Sequence, residues 1–161
     1  MRNLPMAIFL SSAFIFQTTV FAEGLCPNDE LEVFNCQHTQ KFASLCKKKE
    51  TGIFTYRHGT KDNIDLIISD EDNHKGSVFY FSNTTYAGGG EAHIRFSKGK
   101  FTYFLYDKTI KTDDGPEFSA GIAVYRGASK ISNSLCLNDA SIHQDAYIDI
   151  TKETYKDIKA E

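Results

Sequence analysis

The chain has 161 residues, with 18 basic and 21 acidic side chains and a formal net charge of −3 at pH 7. This mildly acidic balance without a basic block argues against a nucleic-acid partner, because binding to phosphates needs clustered Lys and Arg. Phe and Tyr are numerous and Trp is absent. A chain of this length forms one domain, with enough apolar side chains for a core that needs no metal or other cofactor.

The first 22 residues have the organisation of a secretory signal peptide. Arg2 supplies the positive charge near the N-terminus, residues 6–16 are apolar apart from two serines, and Ala22 provides the small side chain that signal peptidase requires. The apolar run is shorter than the roughly 20 residues of a membrane-spanning helix, and no later stretch is long enough to span. We therefore predict cleavage after Ala22, a single mature domain over residues 23–161, and a periplasmic or secreted location.

Four cysteines fall in the predicted mature part: Cys26, Cys36, Cys46 and Cys136. An even number of cysteines in an exported chain suggests two disulfides, and four cysteines allow three pairings that the sequence leaves open. We favour Cys46 with Cys136, which would tie an early strand to a late one and leave Cys26 with Cys36. A zinc site is disfavoured, since no C-x2-C pair occurs.

Segments rich in β-branched and aromatic residues recur at intervals of roughly ten residues and are bounded by turn residues. They lie at 31–36, 41–47, 53–58, 64–69, 78–82, 91–97, 100–106, 118–126 and 131–137. This spacing is typical of an antiparallel sandwich or small barrel. We predict an all-β, mainly antiparallel fold of about eight to nine strands, in which segments 53–58 and 64–69 form a hairpin.

The acidic segment 70–76 lacks the residue spacing of a calcium-binding loop, so we interpret it as a plain hairpin turn and predict no metal site. The last part of the chain indicates short helical structure. Residues 141–147 place Ile142 and Ala146 on one side of a helix, and Thr151 is a suitable N-cap for a final short helix. In that helix Tyr155 and Ile158 would face the sheet.

The hairpin formed by segments 91–97 and 100–106 has the clearest pattern. We place its turn at Lys98-Gly99, because a tight turn needs a residue that tolerates positive φ. This register pairs Phe96 with Phe101 and puts the apolar side chains on one face, since strand side chains alternate. The other apolar members of that face are Ala92, Ile94, Tyr103 and Leu105.

The glycine block before this hairpin is the sharpest local feature of the sequence. Gly88, Gly89 and Gly90 lie between Tyr86 and Glu91. Glycine lets a backbone approach a ligand closely, and Tyr is favoured at interfaces, so these five residues are candidate binding residues. We nevertheless favour a purely structural interpretation over a binding role: the glycines form a β-bulge or a turn that leads into the strand.

His93 and Arg95 complete the set of candidate binding residues, because they share a strand face with Glu91. Such a trio suits catalysis or ligand binding, although cross-strand charge pairing is the favoured interpretation. No G-x-S-x-G or H-E-x-x-H motif occurs, and the five histidines are far apart in the sequence. We therefore predict that the chain is not an enzyme and carries no cofactor.

The order of these elements resembles a group of small exported bacterial proteins without an assigned function. The pieces that match are residues 36–46, 56–59, 88–96, 103–107, 120–124, Cys136 and 146–153. An early Cys in a strand, together with Tyr86 and Gly90-Glu91-Ala92, is similar to periplasmic C-type lysozyme inhibitors, which are small disulfide-bonded β-barrels. This second likeness implies an inhibitory role.

These features indicate an exported binding protein with a protein partner in the cell envelope. The favoured hypothesis is an inhibitor or immunity protein that acts on a cell-wall-degrading enzyme. One alternative is a small-ligand carrier or enzyme with a site inside the barrel, lined by His93, Arg95 and Tyr103. The other is a structural envelope protein, and the sequence leaves the oligomeric state open.

Overall fold

A computed structural model describes residues 24–72 and 76–158 and shows two β-sheets packed against each other. The predicted signal peptide and its cleavage site after Ala22 lie outside the described residues. Within them, ten strands and one short α-helix near the C-terminus make up the regular structure, apart from a single 3-10 turn. The prediction of a mainly antiparallel all-β fold with a short C-terminal helix is confirmed.

The two sheets divide the chain almost at its middle. The four-stranded sheet has the order β1-β2-β3-β4, with β1 Glu30–Gln37, β2 Phe42–Lys48, β3 Phe54–Gly59 and β4 Ile64–Ser69. The six-stranded sheet has the order β10-β5-β6-β7-β8-β9, with β5 Tyr80–Tyr86, β6 Gly89–Lys98, β7 Phe101–Thr112, β8 Gly115–Arg126, β9 Ser129–Leu135 and β10 Thr151–Lys152. Neighbouring strands are antiparallel, except that β10 runs parallel to β5. The predicted hairpin of segments 53–58 and 64–69 is confirmed as β3 and β4.

Apolar side chains from the inner faces of both sheets form the main core. Phe34 and Leu45 contribute from the four-stranded sheet, and Ile94, Phe96 and Leu105 contribute from the six-stranded sheet. All five are fully buried. Burial of a Leu, Ile or Phe side chain stabilises the folded state by about 1.5–3 kcal/mol, so this contact between the sheets holds the sandwich together.

The predicted pairing register of the β6–β7 hairpin is wrong by two residues. Phe96 lies opposite Tyr103 and Lys98 lies opposite Phe101, so the turn is Gly99-Lys100 rather than Lys98-Gly99. Gly99 has φ 59°, which suits the first central position of a type II′ turn. The error moves each partner by two residues and therefore leaves every side chain on its predicted face.

The disulfides join Cys26 to Cys46 and Cys36 to Cys136, so the favoured pairing is wrong. The segment before β1 runs back over β2, where the Leu25 N–H donates to Ser44 Oγ at 3.0 Å, and this brings Cys26 to Cys46. The segment after β9 docks on the end of β1 through Leu137, whose N–H donates to the Gln37 carbonyl at 2.8 Å. The bond that links the two sheets therefore starts from Cys36.

The segment between β4 and β5 is not the plain hairpin turn predicted from its composition, because these two strands belong to different sheets. A 3-10 turn occupies Asp70–Asp72, and residues 73–75 lie outside the described residues. Asp70 Oδ1 accepts a hydrogen bond from the Val78 N–H at 2.9 Å, which ties the two ends of the crossing together.

The helix α1 spans Gln144–Asp149 and has His143 as its N-cap, and the predicted apolar side of this region is buried through Ile142 and Ala146. The predicted final helix after Thr151 is wrong, because Thr151 starts the short strand β10. Residues 153–158 follow without regular secondary structure, and we call them the C-terminal strap. The strap carries its apolar side chains across the outer face of the six-stranded sheet, where Ile158 is buried.

Candidate functional site

Glu91 and His93 come together on the outer face of β6, beneath the C-terminal strap. His93 Nε2 lies 2.6 Å from Glu91 Oε1, and the two side chains are 0% and 5% exposed. The Tyr155 hydroxyl of the strap donates to Glu91 Oε2 at 3.3 Å, and its ring stacks on His93 with centroids 5.0 Å apart. The strap thus seals this polar pair from solvent.

The electrostatics of this pair favour an ionised carboxylate. Burial alone would raise the pKa of Glu91. The interactions with His93, Lys108 and the Tyr155 hydroxyl favour the ionised carboxylate more strongly than burial opposes it, so the pKa of Glu91 is lowered. Burial and the adjacent carboxylate together raise the pKa of Tyr155 to about 12. Tyr155 therefore stays a neutral hydrogen-bond donor at physiological pH.

Arg95, the third member of the predicted trio, is held by the strap as well. Its Nε lies 2.8 Å from Oε1 of Glu153, and one of its NH2 groups donates to Oε2 at 2.7 Å. The guanidinium also lies over the Tyr80 ring, 4.6 Å from its centroid. Of the predicted trio, Glu91 and His93 contact each other, whereas Arg95 pairs with Glu153, and residues of the C-terminal strap cover all three.

The glycine block packs tightly against the neighbouring strand β7. A side chain at Gly89 would place its Cβ 2.0 Å from the Thr109 carbonyl oxygen, and one at Gly88 would meet Lys111. The Tyr86 hydroxyl donates to the carbonyls of Gly90 and Thr109, at 3.3 and 3.2 Å. The space beside Gly88 and Gly89 is thus filled by the protein itself.

A different surface feature, which we call the acidic groove, was not predicted. It is a cleft of about 740 Å³ lined by Asp107, Thr109, residues 118–120 and residues 135–141. The strands β7 and β8 have 12 residues each, whereas those of the four-stranded sheet have six to eight. The β7–β8 hairpin therefore projects past the sandwich, and the groove lies along this overhang.

Large apolar side chains stand exposed along the acidic groove. Phe118 is 75% exposed, Leu135 60% and Leu137 68%. Phe118 shares a face of β8 with Ala120 and Ile122, which are buried in the core, because alternate residues of a strand point the same way. Phe118 thus continues the core face beyond the end of the other sheet.

The charge in the acidic groove comes from Asp107 and Asp139. Asp107 Oδ2 accepts a hydrogen bond from the Ile142 N–H at 3.0 Å, and burial raises the pKa of this carboxyl despite that bond. Among the described residues that line the groove there is no Lys, Arg or His. The groove therefore combines two carboxyl groups with apolar walls and is negatively charged where these carboxyls are ionised.

Within the described residues, no group of three or more His, Cys, Asp or Glu side chains is arranged to hold a metal ion, and no helix has the length and apolar character needed to cross a membrane. All four cysteines are disulfide-bonded, as is typical of proteins that fold in an oxidising compartment outside the cytoplasm. Comparison with protein-family models, curated protein sequences and solved structures finds no match to this chain.

Proposed function

We propose that this chain is an exported, non-enzymatic protein that uses the acidic groove to bind and block a cell-wall-degrading enzyme. The observation that carries the proposal is the exposed Phe118 beside the partly buried Asp107 on the β7–β8 hairpin. The periplasmic or secreted location expected from the signal peptide is part of this proposal, and the two disulfides support it.

The exposed apolar side chains of the groove support its role as a surface that binds another protein. Aromatic side chains dominate binding energy at interfaces, especially when surrounding residues exclude water from them. Phe118 and Leu137 provide exposed apolar side chains for such an anchor, and strand β8 fixes the backbone at Phe118 before binding. Preorganisation of this kind reduces the entropy lost on association.

The charges support a basic partner. Asp107 and Asp139 carry negative charge in a groove whose described lining includes no cationic side chain. An enzyme that acts on the anionic polymers of a cell wall gains from a basic surface, because opposite charges steer its encounter with substrate. The same surface would be attracted to the acidic groove, so a cationic segment with one apolar residue is the expected epitope.

The alternative of a ligand site inside the barrel has weaker support. His93 and Arg95 lie on the outer face of β6 under the strap, whereas Tyr103 packs on Phe96 in the core with ring centroids 5.1 Å apart. These three residues do not line one cavity. No observation in the described residues favours a purely structural role in the envelope.

Binding and inhibition assays with the oxidised, purified protein test the proposal. Basic muramidases and amidases are titrated with the protein while hydrolysis of cell-wall substrate is followed, and we expect stoichiometric inhibition of at least one of them. The variant Phe118→Ser should weaken inhibition by at least about tenfold. Failure to bind or inhibit any enzyme of either class contradicts the proposal.

The variant Ile148→Ser is the matched control. Ile148 is 72% exposed, close to the 75% of Phe118, but it lies on α1 outside the acidic groove. Its replacement removes a similar apolar surface and should leave inhibition unchanged. An equal loss of inhibition in both variants would mean that nonspecific hydrophobic association, rather than the groove, produces the binding.

A further inference from the structure

A second cavity, which we call the inter-sheet pocket, lies between the edges of the two sheets. Its volume is about 260 Å³, and it shares no lining residue with the acidic groove. The side chains that define its chemistry are Tyr56, Tyr103, His38, His58, Ser132 and Ser134. They come from the β1–β2 connection and from strands β3, β7 and β9, so distant parts of the sequence converge on it.

The tyrosines give the inter-sheet pocket an aromatic wall. One face of Tyr103 stacks on the fully buried Phe96, with centroids 5.1 Å apart and planes inclined by 5°. Tyr103 also lines the cavity, so a ligand that contacts its ring would use the surface that Phe96 leaves uncovered. The Tyr56 ring lies 6.5 Å from Tyr103 and is itself buried. The negative face of an aromatic ring attracts the polarised C–H groups of a saturated ring.

Neutral polar groups and the aliphatic side chains of Leu66, Ile122 and Val124 border this aromatic wall. Burial lowers the pKa of His38, although a hydrogen bond to the Leu135 backbone partly opposes this shift. Burial and the charge of Lys41 lower the pKa of His58. Both imidazoles are therefore neutral at pH 7. His38 already bonds the Leu135 backbone, and its Nε2 lies 3.7 Å from Cys36 Sγ, so His58 and the two serine hydroxyls are the polar groups on which a ligand would depend.

We propose that the inter-sheet pocket binds a single neutral sugar ring. A saturated ring with hydroxyl groups matches an aromatic wall bordered by neutral donors and acceptors, and a charged ligand would find no counter-ion among the described lining residues. The cavity is slightly smaller than the roughly 300–1,000 Å³ of sites for drug-sized ligands, which suits one ring. The site is independent of the acidic groove and of the enzyme proposed to bind there.

Titration of the ¹⁵N-labelled oxidised protein with glucose and with N-acetylglucosamine tests this site. We expect saturable amide shifts centred on His38, His58 and Ser134, with a Kd in the millimolar range. Glucosamine and glucuronate, which carry opposite charges on the same ring, should bind at least about tenfold more weakly. No saturable shift with either neutral sugar, or equal binding of the charged ones, overturns the proposal.

Two pocket variants and one control assign the binding to this cavity. Tyr103→Leu removes the stacking face, and Ser134→Ala removes one hydroxyl with little risk to folding, so affinity should fall at least about fivefold in each. Ser119→Ala, an exposed serine in the acidic groove, should bind as the unmodified protein does. If Tyr103→Leu does not fold, Ser134→Ala decides, and unchanged affinity in Ser134→Ala contradicts the proposal.

Discussion

Glu91 Oε1 lies 2.6 Å from His93 Nε2 in a hydrogen bond that the C-terminal strap covers. The two residues are adjacent on one face of β6, so the sequence alone already places them side by side. Their burial, in contrast, comes from Tyr155, which is 64 residues from Glu91 and donates a hydrogen bond to it. The pair therefore fastens the end of the chain to the sheet.

Replacement of Glu91 by Gln tests whether this pair stabilises the fold. At pH 7 we expect a loss of about 1–2 kcal/mol in the free energy of unfolding, because the Gln oxygen can still accept the hydrogen bond from His93 but no longer carries the charge that strengthens it. Chemical denaturation of both proteins measures the difference. Glu117→Gln, at an exposed position on β8, is the control and should stay within about 0.5 kcal/mol of the unmodified protein.

The effect of Glu91→Gln should depend on pH in one direction. The pKa of Glu91 is lowered in the folded protein, so the folded state binds this proton more weakly than the unfolded chain. The stabilisation is therefore complete above the ordinary value of 4.5 and is lost as the pH falls through the lowered value. A stability difference that stays constant from neutral to strongly acidic pH would contradict this account.

The sequence predicts those parts of the fold that depend on local pattern. Alternation along β6 and β7 gives the right faces even though the turn is displaced by one residue, since a two-residue shift in pairing preserves the faces. The disulfide pairing depends on docking of the segment after β9 onto β1, about 100 residues away along the chain. No local signal reports such a contact, so the pairing cannot be chosen from the sequence.

Removal of the two disulfides should have unequal effects. In the chain-entropy model, the Cys36–Cys136 bond, with a sequence separation of 100, stabilises by about 4.7 kcal/mol, and the Cys26–Cys46 bond, with a separation of 20, by about 3.3 kcal/mol. Double Ser variants of each pair, compared by urea denaturation, measure the two losses. A larger loss for Cys26–Cys46 would show that the long bond does not act through the unfolded chain.

Peptide mapping under non-reducing conditions checks the connectivity itself. The expected linked peptides contain Cys26 with Cys46 and Cys36 with Cys136. A peptide that links Cys46 to Cys136 would contradict the arrangement in which the segment after β9 docks on β1. The protein must not be reduced before digestion, because free thiolates exchange with disulfides and would rearrange them.

Substitutions in the glycine block should lower the stability of the folded protein. Gly89→Ala places a Cβ 2.0 Å from the Thr109 carbonyl oxygen, so β6 and β7 must separate, and we expect a loss of about 3 kcal/mol. Gly90→Ala meets its nearest atom, the Thr84 carbonyl oxygen, at 3.0 Å and should cost less. Thermal unfolding of both variants measures this order. Equal stability of Gly89→Ala and the unmodified protein would favour the predicted role of this block in binding.

The acidic groove could not be predicted from the sequence, because the exposure of its side chains depends on tertiary structure. Phe118 follows the same alternation as Ala120 and Ile122, and from the sequence it is indistinguishable from a core residue. It is exposed because the four-stranded sheet ends before the β7–β8 overhang does. That end point is set by how the two sheets align, which is a tertiary property. Glu91, His93 and Arg95, in contrast, could be placed on one face of β6 from the sequence, because alternation along a strand is a local pattern.

Replacement of Asp107 by Asn should stabilise the protein while it weakens the acidic groove. Burial raises the pKa of Asp107, so the folded state binds this proton more tightly than the unfolded chain. Ionisation of this carboxyl therefore costs no stability below its ordinary pKa of 3.8, and the cost appears as the pH rises through the raised value. The Asn side-chain oxygen can still accept the hydrogen bond from the Ile142 N–H.

We expect Asp107→Asn to unfold at higher denaturant concentration at pH 7, with a gain of about 0.5 kcal/mol because solvent partly screens this carboxyl. The gain should vanish below about pH 4, where the unmodified carboxyl is also protonated. Affinity for a basic muramidase should fall about tenfold with the loss of this charge. The exposed Asp139→Asn variant is the control: it should weaken binding without raising stability. Equal stability and affinity of Asp107→Asn and the unmodified protein would contradict a role of this carboxyl in the groove.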